Sequence, residues 1–178
     1  MKKLFAVVMT LALMISAVAA FAAEGSNVTT VNWSDHEAEA AKLEGRFATV
    51  ADTGLKMYIP AEFKDASKEL SQENIDAGHI LLLKSEKDEK AVVSAQVVPA
   101  DISSFVGSLQ KDGKTVWEMR INGLIGAQFS VEKDGVTYSN FAFGSNAGKT
   151  LLFSFGPVNA EPYTSLYKVM VSSIQSAQ

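Results

Sequence analysis

The chain contains no cysteine. Disulfides, zinc-thiolate centres, thiol nucleophiles and a lipid-bearing cysteine at a leader cleavage point are therefore all excluded. Histidine is scarce too, with His36 and His79 the only imidazoles available as metal ligands or general bases. The Gly-x-Ser-x-Gly elbow of serine hydrolases does not occur. Basic residues are scattered, several of them beside Asp or Glu, and nowhere form the cluster that polyanion binding draws on. This excludes nucleic acid as an expected partner and describes a solvated, mixed-charge surface.

What is present begins with an address. Met1-Lys2-Lys3 is a short basic start, followed by an uncharged, mostly apolar run from Leu4 to about Ala20 and by Ala20-Phe21-Ala22. That order fits a signal peptide with a small-x-small cleavage site, so residues 1–23 read as a cleaved leader and 24–178 as the mature protein. A retained anchor is the alternative, because about 17 residues is the lower limit for a spanning helix. Glu24-Gly25-Ser26-Asn27 follows the run at once and favours cleavage. Loss of Lys2 and Lys3 takes the 16 basic residues to 14 against 20 acidic ones, so the net charge of −4 becomes −6. Roughly 155 mature residues suffice to bury about 70% of the surface an unfolded chain exposes, and one domain is expected.

Periodicity divides the mature chain into a sheet and its covers. Ser34 with Glu37 has capping-box spacing for a helix closed by Gly45. Residues 47–50, the turn Asp52-Thr53-Gly54 and the alternation of Leu55, Met57 and Ile59 predict a hairpin ended by Pro60. Residues 61–72 read as a surface connection. The apolar run 80–83 and the valine-rich 91–98 predict strands covered on both faces. Asp101 or Ser103 caps a short helix through Leu109, with Ile102, Phe105, Val106 and Leu109 on one side.

Beyond it, Asn122-Gly123 and Asp134-Gly135 each signal a two-residue hairpin turn. Apolar alternation slips near Ser139-Asn140, which fits either a bulge or two covered faces. Leu151, Phe153 and Phe155 predict the last strand. Residues 160–176, capped by Asn159, predict a helix whose stripe of Tyr163, Leu166, Tyr167, Met170, Val171 and Ile174 covers the sheet.

Three groups of residues invite a chemical reading, and each has a plainer one. Gly144-Ser145-Asn146-Ala147-Gly148-Lys149-Thr150 ends like a phosphate-binding loop, but the required first glycine falls at Phe143 and a strand, not a helix, follows. A glycine-rich hairpin turn accounts for it. His36 with Glu39, flanked by Asp35 and Glu37, could share a helix face as a loose metal site, yet no third ligand has the spacing. His36 reads as a solvated helix residue and His79 as the start of a strand. Asp65 or Glu69 with Asp76 could pair carboxylates, though nothing in the spacing selects them. The aromatic residues Trp117, Tyr138, Phe141, Phe143, Phe153 and Phe155 serve the core before they serve a pocket. No residue earns a catalytic, cofactor-binding or metal-binding role, and no cofactor is expected.

The hairpin Phe47-x-x-Val50 … Leu55-x-Met57-x-Ile59-Pro60-x-x-Phe63, the strand Asn122-Gly123-Leu124-x-Gly126-x-Gln128-Phe129 and the closing Val171-Ser172-Ser173-Ile174 together resemble the PsbP-like superfamily over residues 46–176. The resemblance lies in element order and turn chemistry rather than in reactive residues. It implies an α+β fold, a curved antiparallel sheet flanked by helices as an α/β/α sandwich, and a non-enzymatic role in binding protein partners. DcrB-type envelope members are usually lipoproteins and PsbP docks through a basic N-terminus. This chain has neither feature, so no residue inherits a role. The expectation is a secreted or periplasmic, non-enzymatic accessory domain that binds an envelope or secreted protein, with no stable membrane anchor after cleavage. The alternative is a small-molecule or lipid carrier with an apolar pocket between sheet and helix. A partner-binding domain calls for an exposed apolar patch over a filled core, and a carrier for an internal apolar cavity.

Overall fold

The computed structural model describes residues 28–145 and 147–177; the expected leader and cleavage site at 1–23 lie outside them. Eleven strands and four α-helices follow one another through the described chain. Strands β1 (Thr29–Val31), β4 (Phe63–Asp65), β5 (His79–Ser85), β6 (Val92–Val98), β7 (Trp117–Ile121), β8 (Leu124–Lys133), β9 (Val136–Gly144) and β10 (Thr150–Gly156) form one sheet. Its order is β1-β7-β8-β9-β10-β6-β5-β4. Every pairing in it is antiparallel except β1 with β7. A second sheet has the order β11-β3-β2, from β2 (Gly45–Thr49), β3 (Leu55–Pro60) and β11 (Gln175–Ser176). The helices are α1 (Glu37–Ala40), α2 (Gln72–Asp76), α3 (Ile102–Lys111) and α4 (Tyr163–Ser172).

The turn chemistry read from the sequence is the chemistry found. Asn122 and Gly123 have φ of 48° and 82°, and Asp134 and Gly135 have 53° and 75°. Two consecutive positive φ values define the turn whose twist matches a right-handed hairpin, so both dipeptides close β7–β8 and β8–β9 tightly. Registers then decide which side chains face the core. Leu151, Phe153 and Phe155 stand beside Phe143, Phe141 and Ser139 of β9 and beside Val97, Ala95 and Val93 of β6. That face meets α4 and the small sheet, and one core runs through Met57, Phe63, Met119, Ile121, Tyr167, Met170 and Ile174.

The opposite face is covered in part by α3, whose Phe105 ring lies edge-on 6.0 Å from Phe129. Asp101 caps this helix, its carboxylate accepting the Ser104 amide at 2.9 Å. The slip near Ser139-Asn140 is not a bulge. The register from Lys133↔Val136 to Gly126↔Phe143 is unbroken, and 139–143 are buried on both sides of the strand. Two covered faces, not an inserted residue, moved the apolar positions. On β5 and β6 the second face is only half-buried.

Other boundaries differ for identifiable reasons. Ser34 makes no capping bond, and the predicted first helix is a 3-10 turn at Trp33–Asp35 plus the single turn of α1. Gly45 does not close that helix but opens β2, lying so close to Tyr58 that a Cβ would stand 2.7 Å from its ring. The connection 61–72 contains β4, which Phe63 anchors in the core. Helix α4 is shorter than expected, beginning after Pro162 with no side-chain cap from Asn159. Its chain leaves the helix at Ser173 and pairs as β11 with β3, so β10 is not the last strand.

Candidate functional site

Helix α4 packs against the small sheet at β3 and against the large sheet at Phe155. Tyr167 packs edge-on against Phe155 at 5.5 Å, and its hydroxyl donates to the Gly156 carbonyl at 2.8 Å. Burial pushes that hydroxyl well above the ordinary phenol range, so it stays a neutral donor. Beside it lies a pocket of about 250 Å³. Its floor is Met119 of β7, Gln128 of β8, Phe141 of β9 and Phe155 of β10, and its roof is Tyr167 and Val171 of α4.

The floor is there because β8 carries Gly126 and Gln128 where neighbouring β9 carries Phe143 and Phe141. Gly126 leaves room for the Phe143 ring, since a Cβ would come within 2.8 Å of it. Gln128, one alternation further, donates through its amide to the Ser139 hydroxyl at 3.2 Å. The remaining hydroxyls have backbone partners: Thr164 donates to the Val158 carbonyl at 3.0 Å and Ser172 to that of Val169, also at 3.0 Å. A hydroxyl held this way has no base to activate it.

The rim comes from elements the sequence did not connect with α4. Val31 of β1, His36, Glu39 and Lys168 of α4 complete the lining. His36 Nδ1 stands 3.6 Å from Glu39 Oε2, beyond hydrogen-bond length. It is buried and without a hydrogen-bond partner among the described residues. His36 is thus not the solvated helix residue expected but a pocket wall, its side chain 18% exposed.

The other chemical candidates are not brought together. Among the described residues no group of three or more His, Asp or Glu is placed to hold a metal ion. His79 opens β5, away from the pocket lining. Asp65 accepts the Ser67 amide at 2.8 Å, Glu69 pairs with Lys84, and Asp76 accepts from Gln72 at 2.8 Å. The region ending in Gly148-Lys149-Thr150 leads into β10 rather than a helix, and Thr150 donates to the Ala100 carbonyl. The helix that a phosphate-binding loop of this motif needs after its threonine is a strand here. Sequence reasoning missed Gln128, Ser139 and Lys168. The one signal was a polar residue in the middle of an apolar strand.

With this geometry in place, comparison with solved structures becomes informative. The solution structure of cyanobacterial PsbP (CyanoP) from Synechocystis sp. PCC 6803 matches 76% of this chain and 94% of its own, with a TM-score of 0.51 at 10% identity. The fold is PsbP-like. A crystal structure from Bacteroides thetaiotaomicron VPI-5482 matches 73% of this chain and 48% of its own, with a TM-score of 0.48 at 10% identity. No family model and no curated protein matches the chain. At 10% identity the PsbP likeness concerns the fold, and the pocket residues have to be read on their own chemistry. Among the described residues no helix is long and apolar enough to cross a membrane.

Proposed function

We propose that this PsbP-like chain is an exported, non-enzymatic binding domain of the cell envelope that holds a small molecule in the pocket between the large sheet and α4. The pocket itself carries the reading. An apolar chamber with a few convergent polar groups is how small ligands are held. Its hydroxyls are committed to backbone carbonyls or to an amide, which supports binding rather than acyl transfer. A cavity of about 150 Å³ accepts benzene, so about 250 Å³ suits one substituted ring or a short branched chain. A long acyl chain is too large, which narrows the carrier reading to small molecules. Export rests on the leader pattern at 1–23.

The expected protein partner is the second reading, supported by Trp117 and Ile125, 37% and 60% exposed on neighbouring strands. Trp117 stands in register with Gln128, and Ile125 is an odd number of residues from it, so the two emerge on opposite faces of the sheet. They do not make one patch.

Affinity capture of the mature protein from its native envelope, followed by mass spectrometry of extracted small molecules and of co-purifying proteins, separates the readings. A stoichiometric small molecule lost in Val171→Trp supports the pocket. A stoichiometric protein retained by that variant overturns it. N-terminal sequencing of the exported fraction tests cleavage, which an intact Met1 would refute.

A further inference from the structure

Two neighbouring side chains on the pocket floor have hydrogen-bonding capacity to spare. The Gln128 amide donates to the Ser139 hydroxyl at 3.2 Å, which uses one N–H and one oxygen lone pair. Gln128 Oε1 has no hydrogen-bond partner among the described residues, and it is not shut away from solvent as His36 Nδ1 is. The proton of the Ser139 hydroxyl is likewise free to donate. Turning the amide over, so that Ser139 donates to Gln128, exchanges the roles and still leaves one donor and one acceptor. The other hydroxyls of the lining, Thr164 and Ser172, spend their protons on the Val158 and Val169 carbonyls. Strand registers place the spare pair beneath α4: Gln128 stands opposite Phe141 and Ser139 opposite Phe155, on the face where the Phe155 ring meets Tyr167. Both residues are neutral, and the floor around them is Met119, Phe141 and Phe155. A formal charge set down there would lose its water without gaining a counter-ion. The charged members of the lining, Glu39 and Lys168, are exposed side chains already in contact with water.

Resting on the pocket reading above, we infer that the ligand is a neutral molecule with one apolar ring or short branched chain and a polar group that donates and accepts at once, a carboxamide or a hydroxyl. That group meets Gln128 and Ser139, and the apolar part lies against Phe141 and Phe155 under Tyr167. A carboxylate only accepts and an ammonium only donates. Each would leave one member of the pair unanswered.

Four probes test this on the mature protein. Benzamide, benzoate and benzamidinium have nearly one shape, and the first donates and accepts, the second only accepts and the third only donates. Toluene carries no polar group. Binding is followed by calorimetry and by methyl chemical shifts of Met119 and Val171. Benzamide should bind at least about tenfold tighter than either charged analogue, since each of those buries a charge and leaves a floor group unpaired. Gln128→Met keeps the length of the side chain and removes both polar atoms, so the affinity of benzamide relative to toluene should fall about tenfold. Ser139→Ala, which deletes a single oxygen and should keep the fold, should lower the same ratio severalfold. A ratio unchanged in Ser139→Ala and in folded Gln128→Met would overturn the polar-group assignment while leaving the pocket reading intact. Tighter binding of benzoate or benzamidinium would overturn it likewise. If no probe shifts Met119 or Val171, both this assignment and the pocket reading fail.

Discussion

The side-chain amide of Asn122 donates to the carbonyl of Ile174 at 2.8 Å, across 52 residues of chain. It donates also to Ser172 at 2.7 Å, and its carbonyl accepts the Trp33 amide at 2.6 Å. One turn residue thus satisfies carbonyls that the end of α4 leaves without helical partners and fastens the segment leading to His36. The left-handed backbone that makes Asn122 a turn residue also aims its side chain across the β7–β8 hairpin at these partners.

Asn122→Gly keeps the backbone conformation and removes all three bonds. It should lower unfolding free energy by about 2 kcal/mol in chemical denaturation, two buried carbonyls and one amide being left to weaker partners. Asn122→Asp should cost more, because it places a carboxylate against two carbonyl oxygens. Stability unchanged in the glycine variant would mean that the side chain is not a fastening.

The stripe on α4 makes a sharper claim. Met170 is 0% exposed and Leu166 is buried beside it, while Lys168 between them is exposed. Met170→Asp or Leu166→Asp should abolish cooperative folding, since an unpaired buried carboxylate costs several kcal/mol against a total of about 5–15. Lys168→Asp should shift the thermal midpoint little. A cooperative Met170→Asp melt near that of the parent protein would remove α4 from the core.

Sequence periodicity was informative wherever one local rule acted alone. Both two-residue turns, the β2–β3 hairpin and the buried stripe from Tyr163 to Ile174 follow from spacing and glycine placement. It was silent where a residue serves two elements at once. Gly45 reads as a helix stop by local rules, but tertiary pairing with Pro60 makes it a strand residue. Phe63, three residues beyond a proline, reads as loop until β5 supplies a partner strand. The pocket is least legible of all. Its lining comes from residues 31 to 172, and a cavity is packing left incomplete between elements, which no local pattern encodes.

Gly126 tests whether the floor of the pocket depends on a missing side chain. It is the third residue of β8, three positions past Gly123, and a Cβ there would come within 2.5 Å of the Ala142 carbonyl and 2.8 Å of the Phe143 ring. Backbone cannot withdraw as a flexible side chain can, so Gly126→Ala should destabilise by about 1–3 kcal/mol despite the better strand propensity of alanine. Crystallography of the variant should show β8 and β9 splayed. A neutral or stabilising result would mean that the two strands are free to separate there.

Glu62 links stability to pH. Its carboxylate, 11% exposed, accepts Lys87 at 2.7 Å and the Ser85 hydroxyl at 2.9 Å, and that hydroxyl lies 3.3 Å from the Tyr163 hydroxyl. Burial alone pushes the carboxyl upward, but the bonds from Lys87 and Ser85 and the charge of Lys87 outweigh it and hold it below its ordinary value of 4.5. A carboxyl that is more acidic folded than unfolded contributes stability that is complete above its unfolded value and disappears as pH falls through the folded one. Unfolding free energy should therefore drop as pH falls below about 4.5, and Glu62→Gln should flatten that drop while costing about 1 kcal/mol at pH 7, where the charged hydrogen bonds are lost. Parallel pH profiles for parent and variant would show that the pairing with Lys87 and Ser85 contributes nothing to folding. A steeper loss in the variant would reverse the sign argued here.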